Sequence, residues 1–326
     1  MNVAVLGAGT WGTALAKVLD SNSHNVTLWH YKQSFVDYLE SNRVHPKLNC
    51  EISKTIVLTS NLDFISNNDI IVIAIPTQSI RHTLKKIGSV NKDVLIVNAS
   101  KGIEISSLKT ISNVIQETLN SNRKNIIAFY GPSHAEEVVK ELPTTIVSAS
   151  ESIKNARLIQ DLFSNSFMRV YSNNDIIGVE VSGSVKNIIA IAAGITVGIG
   201  FGDNTLSALI TRGIAEIQRL GIKMGAQEKT FLGLSGIGDL IVTATSVHSR
   251  NRKIGYDIGK GKNIDKLLGD MTMVAEGVFT SKAIYKLANN MKIEMPICNK
   301  VYEILFLKKD PKLAIYELMN RKLIDE

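Results

Sequence analysis

Short apolar runs, each about one strand long, punctuate the first half of the chain: 2–6 (NVAVL), 26–30 (VTLWH), 55–58 (TIVL), 69–75 (DIIVIAI), 93–98 (DVLIVN) and 126–130 (IIAFY). Stretches with a polar face at helical spacing separate them, over 11–20, 32–41, 78–87 and 106–120. Runs that stay apolar instead of alternating belong to strands buried on both faces. Their alternation with helices predicts a parallel sheet covered on both sides. Residues 144–149 (TTIVSA) and 167–171 (FMRVY) add a last pair of strands. After residue 175 the strand-like runs cease, and helical periodicity with glycine breaks continues to the C-terminus. One long helix is predicted over 175–200 and another over 204–220, with the change of style at Ser172–Asp175 (SNND).

Composition narrows this picture. A chain of 326 residues with 44% hydrophobic and 21% charged residues is an ordinary globular protein of two domains. The longest apolar run, 187–202, falls short of the roughly 20 residues of a membrane span and is bracketed by Lys186 and Asp203. A buried core helix is expected there, not membrane insertion. The opening MNVAVLGAGT reads directly as a strand, so no secretion signal is expected. Cys50 and Cys298 stand far apart, as free thiols in a reducing compartment do, which points to the cytoplasm. No two histidines lie four apart and no Cys/His cluster occurs, so no metal is expected. The net charge of +7 is spread along the chain without a dense basic block, which argues against nucleic acid. A modest positive field still favours small anions such as phosphates.

The first strand runs into Gly7-Ala8-Gly9-Thr10-Trp11-Gly12, a G-x-G-x-x-G that opens a helix within a βαβ unit. In that context Gly7 permits the tight turn, Gly9 admits a pyrophosphate to the backbone, and Gly12 lets helix and strand pack closely. The fold class is therefore α/β: a Rossmann-like doubly wound domain over 1–174 that binds NAD or NADP, then an all-α domain over 175–326. Selective NAD sites place an acid at the end of the second strand. Here that end reads His30-Tyr31-Lys32-Gln33, with no acid before Asp37, so nothing repels a 2′-phosphate and Lys32 attracts one.

Ligands of open α/β sheets sit beyond the carboxyl ends of the strands. Lys101 follows the strand ending in NAS, and Gly131 and Ser133 lie in GPSHAEE after the strand at 126–130. In the second half, Lys186 is the single charge within VSGSVKNIIAIAAG (181–194), sharing a helix face with Ser182 and Ala190. Burying an ammonium there costs several kcal/mol unless it is offset, so a ligand-directed role is expected. Gly233, Gly236 and Gly238 permit close backbone approach, with Asp239 semi-buried behind them. Ser249 reads as the N-cap of a helix starting Arg250-Asn251, an anion site built from helix terminus and guanidinium.

Taken together, GAGTWGTALA, NASKGIE, GPSHAEEV, VKNIIAIAAGITVGIGFGDNTLSALITRGIAEIQRLG, LSGIGDL, SRNRKIG, VAEG and EMPI resemble the bacterial-type NAD(P)-dependent glycerol-3-phosphate dehydrogenases over almost the whole chain. The resemblance implies a cytoplasmic homodimer that interconverts dihydroxyacetone phosphate and sn-glycerol 3-phosphate for phospholipid synthesis. It implies cofactor contacts at Thr10, Trp11, Tyr31, Lys32, Lys101, Ala135, Arg250, Val274 and Glu276. It implies substrate contacts at Lys101, Gly131, Ser133, Asp239, Ser249, Arg250 and Asn251, with Lys186 as the catalytic lysine. Tyr31-Lys32 departs from the arginines common in the family, which leaves the choice between NAD and NADP open. Residues 42–52 follow the family's Asn…Tyr-Leu-Pro pattern only loosely. The alternatives are a β-hydroxyacid-type dehydrogenase, less suited to GPSHAEEV and HSRNRK, and a dinucleotide-binding regulator, which has no need of Lys186, Asp239 and Arg250 together.

Overall fold

The apolar runs form β1 (Asn2–Leu6), β2 (Asn25–Trp29), β3 (Val57–Thr59), β4 (Ile70–Ile73), β5 (Leu95–Asn98), β6 (Ile126–Tyr130), β7 (Thr144–Ala149) and β8 (Met168–Asn173). This computed structural model describes residues 1–269, 275–323 and 325. The eight strands make one sheet in the order β8-β7-β6-β5-β4-β1-β2-β3. Successive strands run outward from β1 in opposite directions, which puts the topological switch point at β1 and its neighbour β4. Every residue of β4, β5 and β6 is buried, which is why these strands show no polar alternation.

Six pairings are parallel, as the apolar runs predict. One is not: β6 and β7 are antiparallel, with Phe129 opposite Ser148. A parallel return needs a crossover, usually a full helix. The connection over 131–143 carries only a four-residue helix, Ala135–Val138, and the chain turns back instead. Parallel pairing resumes at β8 once the eleven-residue helix Ile153–Phe163 supplies a crossover. That helix sets Phe163 against Phe129 of β6, with ring centroids 4.4 Å apart, within the main core.

Two compact units emerge: residues 1–101 with 109–180, and residues 102–108 with 181–326. Their division falls inside the helix Ile176–Ile199, a few residues beyond the 174/175 boundary expected from the change of sequence style. Residues 102–108 group with the helices although they lie in the strand-rich half of the sequence.

In the helical unit, Ile176–Ile199 is long and apolar enough to cross a membrane, yet 94% of its most apolar window is covered by protein. It crosses the helix Arg250–Gly259, and the crossing is made of glycine. A Cβ on Gly194 would stand 2.0 Å from the Arg252 carbonyl oxygen, and one on Gly255 2.0 Å from that of Ile191. Gly198 and Gly259 repeat the arrangement one turn on. The four glycines let two backbones touch, and at the start of the second helix Asn251 Nδ2 donates to Asn187 Oδ1 of the first.

Candidate active site

The glycine turn has the geometry its spacing implies. Gly7 lies at φ +118°, and a Cβ there would stand 2.5 Å from the Ala74 carbonyl oxygen. A Cβ on Gly12 would fall 1.8 Å from the Gly7 carbonyl oxygen, so helix Thr10–Ser21 packs directly on the turn. Gly9, by contrast, faces open space, with nothing within 4 Å of an added Cβ. It is the N-cap of that helix and has no side chain to offer the first N–H groups. A cradle that one Cβ would narrow, at an uncapped helix N-terminus, suits a pyrophosphate. These residues therefore fit a dinucleotide.

His45, which the sequence reading did not single out, buttresses this turn. It is buried in a hairpin of Val44–His45 with Cys50–Glu51. Its Nδ1 accepts the N–H groups of Lys47 and Leu48, and its ring also bonds the Ala8 carbonyl. Burial holds its pKa below the usual histidine value. Lys17 of the glycine-turn helix donates to the Glu51 carbonyl at 2.6 Å, so both strands of the hairpin are tied to the cofactor turn. The loosely matching segment 42–52 thus carries structure its sequence pattern does not announce.

At the end of β2, Tyr31 is exposed and Lys32 is the N-cap of helix Gln33–Asn42, with its ammonium 5.5 Å from the Tyr31 ring centroid. Asp37, the nearest acid, is engaged by Gln33 at 2.7 Å a turn into the helix. Beyond β5, Lys101 donates to the Gly131 carbonyl at 3.0 Å, and Thr77 donates to the Lys101 carbonyl at 3.2 Å. Ser133 donates to the same Gly131 carbonyl at 3.0 Å, and Ala135 begins the short helix that follows. Lys101, Gly131 and Ser133 therefore form one cluster at the carboxyl ends of β5 and β6.

In the helical unit, Lys186 donates to Asp239 Oδ1 and to the Thr243 hydroxyl, both at 2.5 Å. The two charged side chains are only 6% and 1% exposed, so Asp239 is fully buried where the sequence suggested a semi-buried acid. Of the three glycines before it, Gly236 is the one under hard constraint, a Cβ there lying 2.1 Å from the Phe231 carbonyl oxygen. Gly233 is moderately tight and Gly238 makes ordinary contact. Thr243, four residues after Asp239 on the helix Asp239–Thr245, also donates to the Asp239 carbonyl. That i, i+4 spacing was the available signal for a residue the sequence reading missed.

Asn187 and Asn251 continue the cluster. Asn251 Nδ2 donates to Asn187 Oδ1 and its Oδ1 accepts the Gly277 N–H, both at 3.0 Å. Ser249 is the N-cap of Arg250–Gly259 and accepts the Arg252 N–H at 3.2 Å. Arg250 is exposed on the first turn, and Glu276 begins the helix Glu276–Met291 beside Gly277. Val274, expected to contact the cofactor, lies outside the described residues. Among the described residues, no three His, Cys, Asp or Glu side chains converge as a metal site.

A doubly wound sheet with an open glycine turn, followed by helices that bury a lysine–carboxylate pair, defines a dinucleotide-dependent oxidoreductase. Residues 2–156 match the family described as NAD-dependent glycerol-3-phosphate dehydrogenase N-terminus, and residues 175–316 its C-terminus. The chain belongs to this family. It is 49% identical over 327 residues to the glycerol-3-phosphate dehydrogenase [NAD(P)+] of Chlorobium limicola, covering 99% of this chain and 98% of that one. It is 47% identical to the enzyme of the same name from Thermoanaerobacter sp. (strain X514), with 98% and 97% covered. The crystal structure of glycerol-3-phosphate dehydrogenase from Coxiella burnetii superposes with a TM-score of 0.93 at 33% identity, over 98% of this chain and 99% of that one.

Proposed function

We propose that this chain interconverts dihydroxyacetone phosphate and sn-glycerol 3-phosphate with NAD(P)H, supplying glycerol phosphate for phospholipid synthesis. The observation that carries the reading is the buried ammonium of Lys186, held at 2.5 Å by both Asp239 and Thr243. A charge kept this far from water needs a function or a complete set of partners. Bound NAD(P)H supplies the hydride. Lys186 stabilises the alkoxide that forms at the substrate's central carbon and gives it a proton, and it removes that proton in the reverse direction. Asp239 and Thr243 orient the ammonium.

Arg250, the helix N-terminus capped by Ser249, and Asn251 hold the substrate phosphate, so remote binding energy positions the ketone. Asn187 and the Gly277 N–H fix the Asn251 amide for that task. Lys101, Gly131 and Ser133 complete the substrate contacts, and Lys101 also reaches the cofactor. Gly7, Gly9, Thr10, Trp11 and Gly12 receive the pyrophosphate side. Tyr31 and Lys32 meet the adenosine ribose and accept NADP as well as NAD, while Ala135, Arg250, Val274 and Glu276 supply the remaining cofactor contacts. Cofactor binding is assigned to residues 1–174 and catalysis to 175–326. We place the enzyme in the cytoplasm as a homodimer, for which light scattering in solution is the direct test.

Loss of NADH absorbance on adding dihydroxyacetone phosphate, but not pyruvate or succinic semialdehyde, is the expected result. Oxidation with pyruvate instead, or with none of the three, contradicts the reading. Because Arg250 also meets the cofactor, the comparison is made at saturating NADH with its affinity measured alongside: Arg250→Ala should reduce kcat/KM for the phosphorylated ketone about 100-fold while free dihydroxyacetone changes less than about threefold. Equal losses on both ketones would remove Arg250 from the phosphate site.

A further inference from the structure

Lys101 springs from a turn that one phenol holds in place. Tyr130, the last residue of β6, is fully buried. Its hydroxyl donates to the Ser100 carbonyl at 2.5 Å and accepts from Asn98 Nδ2 at 2.6 Å. Asn98, the last residue of β5, accepts the Ser100 N–H through Oδ1 at 3.0 Å. The same Asn98 amide reaches Glu180 Oε1 at 3.4 Å, a buried carboxyl that also accepts the N–H and hydroxyl of Ser112. The Ser100 hydroxyl is shared between the carbonyls of Ile73 and Ile75. Ser100 is thus restrained at its N–H, its carbonyl and its side chain, and Lys101 is the next residue. The Lys101 ammonium lies 5.8 Å from the Tyr130 ring centroid while it donates to Gly131, the residue after Tyr130.

We propose that Tyr130 is a positioning residue for Lys101: its hydroxyl sets the backbone from which the lysine leaves, and its ring flanks the ammonium. An aliphatic residue would fill the same core position but would offer neither the bond to Ser100 nor a ring face for a cation. The Tyr130 hydroxyl thus bonds both the turn it supports, at the Ser100 carbonyl, and the strand end that enters it, at the Asn98 amide. The inference rests on the role assigned above to Lys101 in binding substrate and cofactor.

The test is a double-mutant cycle of Tyr130→Phe and Lys101→Ala, read as kcat and KM for dihydroxyacetone phosphate, with the thermal midpoint measured alongside. Y130F keeps the ring and removes the hydroxyl. It should lower kcat/KM about tenfold, mostly through KM, and in the K101A background it should change kcat/KM by less than about twofold. A merely structural tyrosine would give the same loss in both backgrounds, and that result overturns the proposal. So does Y130F with wild-type kinetics while K101A is impaired. K101A with wild-type kinetics would instead remove the role of Lys101, and the proposal with it. Should Y130F not accumulate as folded protein, Asn98→Ala, which removes the amide's bonds to the Tyr130 hydroxyl and to the Ser100 N–H, carries the same expectations.

Discussion

Removing one partner of the Lys186–Asp239 pair should destabilise the helical unit far more than removing both. At the 2.5 Å contact, attraction between unit charges is about 7 kcal/mol with an effective dielectric constant of about 20. Desolvation of two groups this deeply buried costs several kcal/mol each, so the intact pair contributes little net stability. A single removal is different, because it leaves an uncompensated charge away from water. Lys186→Met and Asp239→Asn should each therefore cost about 3–5 kcal/mol. The double variant should return to within about 2 kcal/mol of the wild type, a coupling of at least about 4 kcal/mol. Both tryptophans, Trp11 and Trp29, lie in the strand-rich unit, so their fluorescence is not a local probe of this pair. Urea unfolding followed by far-UV circular dichroism, with hydrogen exchange over Ile188–Ala193, reads the helical unit directly. Single variants costing less than about 1 kcal/mol each, with costs that simply add, would show that the pair is not held away from water as its burial implies.

The glycine turn offers a contrast between two positions three residues apart. Gly12→Ala forces a Cβ to 1.8 Å from the Gly7 carbonyl and should prevent accumulation of folded protein. Gly9→Ala enters open space and should fold normally while weakening NADH binding at least about tenfold by calorimetry. Normal folding of the first, or unchanged NADH affinity in the second, would refute the assigned roles. A pH effect comes from Glu216, whose carboxylate accepts the Ile297 and Cys298 N–H groups at the start of the helix Pro296–Leu307. Burial pushes its pKa from 4.5 up to about 7. The folded state therefore holds this proton more tightly than the unfolded chain. The associated stability is complete below pH 4.5 and is lost as the pH rises towards 7, about 3 kcal/mol in all. Across that window the wild type should lose this much relative to Glu216→Gln in urea unfolding, and parallel profiles would contradict it.

Much of the first half was legible because burial on both faces leaves a plain signature. The strands at 2–6, 126–130 and 144–149 coincide with the predicted runs. The N-cap at Ser249 was equally readable, since a capping hydroxyl acts within one helical turn. Strand direction was not: an apolar run such as TTIVSA reads the same parallel or antiparallel, and the reversal at β7 depends on the connector before it. Among candidate site residues, Lys186 stood out because a lone charge in an apolar stretch conflicts with its surroundings. Its partner Thr243 did not, because a threonine inside a helix is unremarkable until a lysine far off in sequence meets it. His45 and Tyr130 escaped notice for the same reason, since only the fold brings the Ala8 carbonyl to one and the Ser100 carbonyl and Asn98 amide to the other. The Gly194/Gly198 and Gly255/Gly259 crossing reads from the sequence only as helix breaks, whereas in the fold it is a contact between two backbones.

The central claim is that Lys186 carries the proton while other residues hold the cofactor. Its most direct test pairs steady-state oxidation of NADH by dihydroxyacetone phosphate with calorimetric NADH binding, for wild type and Lys186→Met, under conditions where both are folded. The expected result is a fall in kcat of about 10²–10⁴-fold with the NADH Kd changed less than about threefold. Turnover by Lys186→Met within about threefold of the wild type would contradict the account.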